Sequence, residues 1–476
     1  MAVSDTKQQD KKEAAAANAT VNTTAKAKAG VVAQKVAQKS NGYMNSYSSM
    51  LIESKNLIFR GAPGTGKSYL AKKIAADIIS GGRFDDYTQL TDEQKKQVEF
   101  VQFHPNYDYS DFVEGLRPKI NDDGTMGFEL RDGIFKEFVA RARKNYEDSQ
   151  KSKETIEKEV SAEEAMKEFF SEIEFGSDTF KTVSGNEFTI TGVDDNHINI
   201  FIPGNETINK LALNINVVRK MLESGQEFKK VKDLAAFFGK KNNTQGYSYD
   251  FAIYNAIKEK EKAAPKVNVD QIKKEKKYVF IIDEINRGEI SKIFGELFFA
   301  IDPEYRGKAG EVSTQYSNLH SDPSEKFYVP KNVYIIGTMN DIDRSVDSFD
   351  FAMRRRFQFI ELKADEHVEM LEELRDEQLR AEAIKKMSAL NKEIAAVEDL
   401  NENYQIGASY FLKLKTLTAT YGADAAFEQL WKTYLQPLLQ DYIQGMYEEE
   451  KIMNRFAEAY GCKKAVQGVA NEVSQD

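Results

Sequence analysis

The stretch NLIFRGAPGTGKSYLAKKIA, residues 56–75, decides the fold that the sequence predicts. Its first part is an apolar run, residues 57–59, with the length and composition of a short buried strand. Its second part has apolar side chains at helical spacing, Leu70 and Ile74. Three glycines, Gly61, Gly64 and Gly66, lie in the turn between strand and helix. The stretch therefore predicts a strand, a tight glycine turn and a helix.

A strand followed by G-x-x-x-x-G-K-S and a helix is the arrangement of a phosphate-binding P-loop. Glycines let backbone N–H groups point at phosphate oxygens, and the helix adds its positive amino end. Lys67 is predicted to reach the β- and γ-phosphates, and the Ser68 hydroxyl to bind Mg²⁺. A glycine-rich loop formed by chance is the alternative, which the flanking strand and helix disfavour. The predicted nucleotide-binding residues are Gly61, Ala62, Pro63, Gly64, Thr65, Gly66, Lys67, Ser68 and Tyr69.

Composition restricts the class of protein. The chain has 476 residues, 41% of them hydrophobic and 30% charged, which is enough for two or more domains. It has no apolar run of about eighteen residues and no apolar signal core, and a single cysteine, Cys462, excludes a disulfide framework. These features predict a soluble, cytoplasmic protein without a membrane partner. The net charge of −10 gives no general attraction to nucleic acid, so such binding needs a local basic surface or a partner.

Composition shifts along the chain predict five segments. They are a flexible low-complexity arm (1–47), the first part of an α/β core (48–150), an inserted α+β domain with charged linkers (151–275), the second part of the core (276–363) and an all-α subdomain (364–476). Within the insertion, residues 205–224 and 227–238 have helical patterns. A lysine cluster at 229–241 is either a phosphate-binding surface or, more commonly, a solvated face.

Two later strands are predicted to end in polar side chains. In YVFIIDEINR the apolar run 278–282 leads to Asp283 and Glu284, at the strand end where α/β sheets bind ligands. Asp283 is predicted to hold Mg²⁺ through water together with Ser68, and Glu284 to polarise the attacking water as a general base. Two acidic residues that merely end a buried strand are the alternative. In VYIIGTMNDID the Asn340 amide is predicted to orient that water.

Three adjacent arginines, Arg354, Arg355 and Arg356, precede the last predicted strand in AMRRRFQF. Such a group is often a solvated face. In ring-forming nucleoside triphosphatases, however, an arginine of one subunit reaches the γ-phosphate bound to its neighbour, and this contact is worth about 10³–10⁵ in rate. The arginines therefore predict a subunit interface that forms part of the active site.

The P-loop, IIDEINR, GTMNDIDRS and FAMRRRF, in this order, resemble the AAA+ superfamily, and DEINR is similar to its clade with an insert in the second helix. Four further strings resemble McrB-type proteins, the motor subunits of methylcytosine-dependent restriction systems. They are QFHPNYDYSDFVEGLRP (102–118), INRGEISKIFGELFFAID (285–302), MNDIDRS (339–345) and PLLQDYIQG (437–445). The resemblance covers about residues 50–145 and 275–450.

The resemblance implies a fold and an activity. The fold is an α/β P-loop NTPase of the AAA+ type, with a parallel sheet, an inserted α+β domain and a C-terminal helical lid. The activity is GTP or ATP hydrolysis by a hexameric ring that a McrC-like nuclease subunit activates, with nucleic acid as the further partner. The phosphate turn does not distinguish guanine from adenine. A MoxR-like ATPase chaperone and a nucleotide-gated binding scaffold remain as alternatives.

The resemblance also implies roles for single residues. Asp283 and Glu284 match the Walker B pair, and Arg354 and Arg355 match the expected trans-acting arginines. Asn340, Asp343 and Arg344 belong to the M-N-T-x-D-R signature, in which this chain has Asp341-Ile342 where Thr-Ala is usual. The string QIGASYF (405–411) is similar to the second sensor region of the lid but lacks its usual arginine. In the aromatic loop, His104 and Tyr107 are predicted to serve loop packing or subunit contact.

Overall fold

The computed structural model describes residues 42–120, 124–194, 196–204, 209–240, 246–260, 269–320, 322–342 and 351–462. The chain divides into two compact units. The core unit comprises Met1–Arg143 and Lys276–Asp476, and the insert unit comprises Lys144–Glu275. The predicted arm lies outside the described residues up to position 41, and the first described helix begins at Ser46.

The strands and helices are numbered here in chain order. The strands are β1 (Asn56–Gly61), β2 (Val98–Gln102), β3 (Glu114–Ile120), β4 (Met126–Asp132), β5 (Thr179–Lys181), β6 (Glu187–Val193), β7 (His197–Phe201), β8 (Lys210–Asn214), β9 (Tyr278–Asp283), β10 (Val333–Asn340) and β11 (Gln358–Leu362). The helices are α1 (Ser46–Ser54), α2 (Lys67–Ser80), α3 (Asp92–Lys95), α4 (Tyr109–Phe112), α5 (Ile134–Gln150), α6 (Lys153–Glu172), α7 (Ile215–Ser224), α8 (Val231–Phe237), α9 (Tyr247–Lys260), α10 (Val269–Ile272), α11 (Ile290–Phe294), α12 (Leu297–Ala300), α13 (Phe351–Arg356), α14 (Glu377–Ala395), α15 (Leu414–Tyr421), α16 (Ala423–Leu430), α17 (Gln436–Ile443) and α18 (Glu449–Tyr460).

A parallel sheet forms the centre of the core unit. Its strand order, among the described residues, is β11-β1-β10-β9-β2, and every neighbouring pair is parallel. The residues of β9 from Tyr278 to Ile282 are buried, as expected for a strand covered on both faces. Because all strands run the same way, their carboxyl ends meet at one edge. The predicted α/β fold with a parallel sheet is confirmed.

Two apolar clusters cover the two faces of this sheet. One contains Phe112, Phe135 and Phe280, whose rings stack or meet edge to face at centroid distances of 4.7–5.8 Å. The other packs helix α2 against β1 and β9, with Ile74 fully buried at its centre. The sheet is therefore fixed between layers, so its strand ends are held at defined positions.

The helical lid follows β11. Helices α14 to α18 pack around a core of their own, which includes Leu390, Trp431 and Tyr460. The Trp431 and Tyr460 rings stack with centroids 5.1 Å apart. A π-helical turn, Trp431–Leu435, joins α16 to α17. The predicted C-terminal helical lid is confirmed.

The insert unit combines an antiparallel sheet, β5-β6-β7-β8, with helices. One prediction for this unit is wrong, because residues 210–214 form a strand within the region 205–224 that was predicted as helical. The alternating residues of β8 pair with β7, so sheet pairing overrides the local helical pattern. The helix begins at Ile215, where the Asn214 side chain accepts a hydrogen bond from the N–H of Asn216 at 2.9 Å. The second predicted helix is present as α8.

Strands β3 and β4 form a hairpin of the core unit, paired in register from Glu114 opposite Asp132 to Ile120 opposite Met126. None of the helices in the described part of the chain is both long enough and apolar enough to cross a bilayer.

Candidate functional site

The phosphate turn joins the end of β1 to the start of α2. Its three glycines have positive φ angles, 147° at Gly61, 76° at Gly64 and 84° at Gly66, which side chains rarely adopt. Gly61 lies opposite Asn340 of β10 in the parallel register. The turn therefore lies at the carboxyl edge of the sheet, beside the ends of β9 and β10.

The Lys67 ammonium group lies within this turn. It donates hydrogen bonds to the carbonyl oxygens of Gly61 at 3.1 Å and Ala62 at 2.8 Å, and the residue is only 7% exposed. These partners are neutral, so a charged phosphate oxygen would be a stronger acceptor for the same protons. The position of the amine fits the predicted contact with phosphate.

Ser68 and Asp283 lie together, although 215 positions separate them in the sequence. The Ser68 hydroxyl donates to Asp283 Oδ1 at 2.5 Å, and the Thr338 hydroxyl donates to the same oxygen. Carboxylate and hydroxyl oxygens are the ligands that Mg²⁺ prefers. Ser68 and Asp283 therefore fit the predicted metal-binding pair.

Glu284 is held by two side chains. The Asn340 amide donates to its Oε1 at 2.6 Å, and Arg287 Nε lies 3.3 Å from its Oε2. Its backbone has φ 53°, in the left-handed region, which costs roughly 1–3 kcal/mol for a residue other than glycine. Such strain places the carboxylate at the strand end and is typical of catalytic sites. We call Ser68, Asp283, Glu284, Thr338 and Asn340 the strand-tip network.

Three residues of this site received no role from the sequence. Thr338 donates to Asp283 and its hydroxyl accepts from the Glu284 N–H at 3.3 Å. Asn286 donates to the Asn340 carbonyl at 3.2 Å, and Arg287 pairs with Glu284. All three belong to strings that were singled out, DEINR and GTMN. A polar residue within three positions of a predicted catalytic residue was the signal that could have identified them.

Asp341 stands where the M-N-T-x-D-R signature usually has threonine, and it lies beside the phosphate turn. Its carboxylate is 3.3 Å from Arg60 Nε, and its side chain is 8% exposed. Burial raises the pKa of Asp341 above its ordinary value, although Arg60 and Lys67 act in the opposite direction. Asp341 therefore pairs with an arginine at the end of β1 and takes no part in the strand-tip network.

The lid touches the phosphate turn directly. The N–H of Gly407 donates to Pro63 O at 3.0 Å, and the N–H of Ser409 donates to Gly64 O at 3.0 Å. A Cβ atom at Gly407 would lie 2.1 Å from the Gly64 carbonyl carbon, so only glycine allows this approach. The string QIGASYF, predicted as the second sensor region, thus contacts the turn through its backbone.

A cleft of about 230 Å³ begins at the outer side of the turn. Its wall includes Gly66 from the turn, Tyr69 from α2, Tyr47 from α1, and His367 and Met370 from the segment that follows β11. The volume is below the roughly 300–1,000 Å³ typical of a pocket for a whole ligand, which suits one part of a nucleotide. Tyr69, one of the predicted nucleotide-binding residues, lines this cleft.

The arginines of α13 lie at the other edge of the sheet. The carbonyl of Arg356 accepts a hydrogen bond at 2.8 Å from Asn56, the first residue of β1, whereas the phosphate turn follows the last. The intervening strand spans roughly 16 Å at 3.3 Å per residue. Arg354 and Arg355 are exposed there, and Arg355 pairs with Asp302 at 3.2 Å. The structure does not bring them to the strand-tip network, and Asp343 and Arg344 lie outside the described residues.

A glycine turn, an acidic pair and an asparagine at the ends of neighbouring parallel strands define the chain as a P-loop nucleoside triphosphatase. Family comparison gives the narrower class. Residues 235–357 match the AAA domain of the dynein-related subfamily, and residues 382–451 match the McrB alpha-helical lid domain. The phosphate turn lies outside both matches and is identified by its own motif and geometry.

Two characterised relatives agree with these matches. The chain is 25% identical over 408 residues to the Type IV methyl-directed restriction enzyme EcoKMcrB subunit of Escherichia coli (strain K12), which covers 84% of this chain and 57% of that protein. It is 31% identical over 94 residues to the Type II restriction enzyme BsuMI component YdiS of Bacillus subtilis (strain 168), covering 18% and 27%. The chain thus spans less than two thirds of the length of either relative. Together these findings support a McrB-type AAA+ nucleoside triphosphatase.

Proposed function

We propose that this chain is the motor subunit of a methyl-directed restriction system, hydrolysing GTP or ATP to drive translocation or remodelling of nucleic acid. The strand-tip network carries the proposal, because five polar residues from three strings converge beside the phosphate turn. The likeness to two restriction-enzyme components supports the biological setting. The match to the McrB lid favours it over the MoxR-like chaperone that the sequence left open.

Each residue of the site has a role in this proposal. Lys67 exchanges the carbonyls of Gly61 and Ala62 for phosphate oxygens, and Ser68 with Asp283 holds Mg²⁺. When bound, Mg²⁺ supplies positive charge that stabilises the transferring phosphoryl group. Glu284 takes a proton from the attacking water, and Asn340 orients the Glu284 carboxylate through the 2.6 Å hydrogen bond. Thr338 fixes Asp283 in the orientation that the metal requires.

A ring of several copies, most simply a hexamer, completes the site in this proposal. Two arginines beside the network are each paired with a carboxylate, Arg287 with Glu284 and Arg60 with Asp341. Arg354 or Arg355 of a neighbouring copy would supply a guanidinium at the γ-phosphate. The position of these residues at the far edge of their own sheet supports action between subunits. Asp343 and Arg344 remain predicted members of the signature.

The proposed partners are a separate McrC-like nuclease subunit and nucleic acid. The relatives are components of restriction enzymes, and no residue of the network suits the cleavage of nucleic acid by itself. The cleft beside Tyr69 is the proposed site of the nucleobase, because it continues from the phosphate turn. The geometry of the turn is common to GTP and ATP, so the proposal includes both.

The decisive test is Glu284→Gln. This variant is expected to bind a fluorescent GTP or ATP analogue with an affinity within about threefold of the parent, because the phosphate contacts remain. Its turnover is expected to fall by at least about 10²-fold, since the water loses its base. Turnover at the parent rate would overturn the assignment of Glu284.

The action of arginines between subunits has its own test. Arg354→Ala, Arg355→Ala and Lys67→Ala proteins are each assayed alone and after mixing. A mixed interface can combine an intact phosphate turn from the arginine variant with an intact arginine from the Lys67 variant. Mixing is therefore expected to restore part of the turnover for at least one arginine. Failure of both mixtures would contradict a trans-acting role.

A further inference from the structure

Helix α13 has two different sides. At about 100° per residue, Phe351, Arg354 and Arg355 fall within one arc of about 100°, and Met353 lies on the opposite side. Met353 is fully buried in the apolar cluster of the core unit. The three outer residues are all exposed, and Phe351 is 87% exposed. The helix therefore presents one aromatic and two cationic side chains on a single outer face.

The inner side fixes this face in place. Arg356 Nε donates to Phe298 O at 2.6 Å, and its guanidinium also lies 5.5 Å from the centre of the Phe298 ring. Together with Met353, Arg356 anchors the helix to the core unit. The three adjacent arginines are thus not equivalent, because Arg356 packs against the core unit, whereas Arg354 and Arg355 are exposed. Arg355 also pairs with Asp302 at 3.2 Å. A rigid helix can hold the outer side chains ready for a partner without further ordering.

We infer that Phe351 is the aromatic anchor by which a second copy of this chain is held at α13, so that Arg354 or Arg355 reaches the neighbour's nucleotide. Phe351 makes little use of its ring in its own chain, since 87% of its surface is exposed. Phenylalanine and arginine are both enriched in the buried centres of protein interfaces relative to the rest of the surface. The occupant is a second copy because the same face carries the arginines proposed to act in trans. The inference rests on that proposed function and assigns Phe351 a positioning role.

The inference is tested by measuring turnover per chain against protein concentration. Phe351→Ser should shift the half-maximal concentration upward by at least about tenfold, while turnover at saturation stays within about twofold of the parent. Loss of the anchor weakens assembly but leaves the arginines intact. Phe351→Tyr keeps the ring and should shift the curve by less than about threefold. The matched control is Tyr447→Ser in the lid, which removes an aromatic that is 89% exposed and should shift nothing.

An independent measurement places a photo-crosslinking phenylalanine derivative at position 351. Nucleotide-dependent crosslinks between two copies are expected, and position 447 should give none. Three results would each overturn the inference. The first two are a half-maximal concentration that Phe351→Ser leaves unchanged, and a turnover at saturation that falls without any change in that concentration. The third is the absence of a crosslink from position 351. Failure of the proposed function appears differently, because Arg354→Ala and Arg355→Ala would then retain the parent's turnover.

Discussion

Glu114 of the core unit and Asp250 of the insert unit are both deeply buried carboxylates, with exposures of 0% and 3%, but their surroundings are opposite. Glu114 accepts hydrogen bonds from Lys136, from His320 at 2.7 Å and from the N–H of Tyr316 at 3.1 Å. Burial alone would raise the pKa of Glu114, but hydrogen bonds from Lys136 and its neighbours hold it below the ordinary value.

Asp250 has no comparable set of partners. Its Oδ1 is buried without a hydrogen-bond partner among the described residues, and burial raises the pKa of Asp250 to about 7. The raised pKa of Asp250 therefore follows from burial without compensating partners. In the core unit, buried charge connects segments that are distant in sequence, since Glu114 and His320 lie 206 positions apart. Asp250 makes no such connection among the described residues of the insert unit.

A second carboxylate of the core unit, that of Glu296, also accepts hydrogen bonds from separate segments of the chain. Glu296 accepts a hydrogen bond from the Tyr109 hydroxyl at 2.5 Å and another from the N–H of Gln315 at 3.1 Å. Glu114 and Glu296 thus hold two neighbouring residues, Tyr316 and Gln315, of the loop between α12 and β10. The aromatic string around Tyr109 therefore contributes loop fixation. Within it, Tyr107 stacks on Phe103 at 4.7 Å.

The largest expected effect on stability comes from Glu114→Gln. Removing one charge of a buried, hydrogen-bonded group leaves Lys136 poorly compensated, and such changes cost about 3 kcal/mol. The folded-state pKa of Glu114 lies below the unfolded value, so its contribution is present above the ordinary glutamate pKa and is lost as pH falls through the folded value. The thermal midpoint at pH 7 measures the loss.

The control for Glu114→Gln is Glu93→Gln, which alters a carboxylate whose side chain is 75% exposed and should change the midpoint little. Equal thermal midpoints for Glu114→Gln and Glu93→Gln would show that the buried hydrogen bonds of Glu114 do not stabilise the fold. The contrast between Glu114 and Asp250 would then have no basis.

The next largest expected effect is a loss of turnover in Thr338→Val. Thr338→Val keeps the shape of the side chain but removes the donor to Asp283 and the acceptor of the Glu284 N–H. Turnover is expected to fall by about 10–100-fold, comparable to the loss of one or two hydrogen bonds to a charged group. Nucleotide affinity without Mg²⁺ should stay within about twofold, because the phosphate turn is unaffected.

The insert unit offers a matched control in Thr182→Val. Thr182 is also buried, at 4% exposure, and its hydroxyl accepts from the N–H of Asn186 at 3.1 Å. Turnover of this variant should equal that of the parent. If both valine variants lost turnover equally, the strand-tip network would not explain the effect of Thr338.

Features set by short motifs could be predicted from the sequence, whereas contacts between distant segments could not. Lys67, Ser68, Asp283, Glu284 and Asn340 were predicted because short motifs and buried strands place them at one edge of a parallel sheet. The pairing of Glu114 with His320 was not predictable, since no local pattern reports contacts across 206 positions. Strand β8 was predicted as helix because its five residues acquire their conformation from pairing with β7. The distinct role of Arg356 required its contact with Phe298.

The smallest expected effect is on stability, and it concerns Asp250→Asn in the insert unit. The folded-state pKa of about 7 lies above the unfolded value of about 4, so the unfolded chain binds fewer protons between these pH values. The contribution of Asp250 to the free energy of unfolding therefore decreases as pH rises from about 4 to about 7. The contribution of Glu114 changes in the opposite direction, because it increases as pH rises. The asparagine variant carries no charge, so it should match the parent near pH 4 and exceed its stability by about 2 kcal/mol or less near pH 8.

Thermal midpoints of parent and Asp250→Asn across pH 4–8 measure this difference. A variant that is less stable than the parent at pH 8 would show that the ionised carboxylate has a favourable partner. Asp250 would then resemble Glu114, and the two units would share one way of using buried charge. A difference that grows with pH would instead show that the ionised Asp250 carboxylate lacks the compensation that Lys136 and His320 give to Glu114.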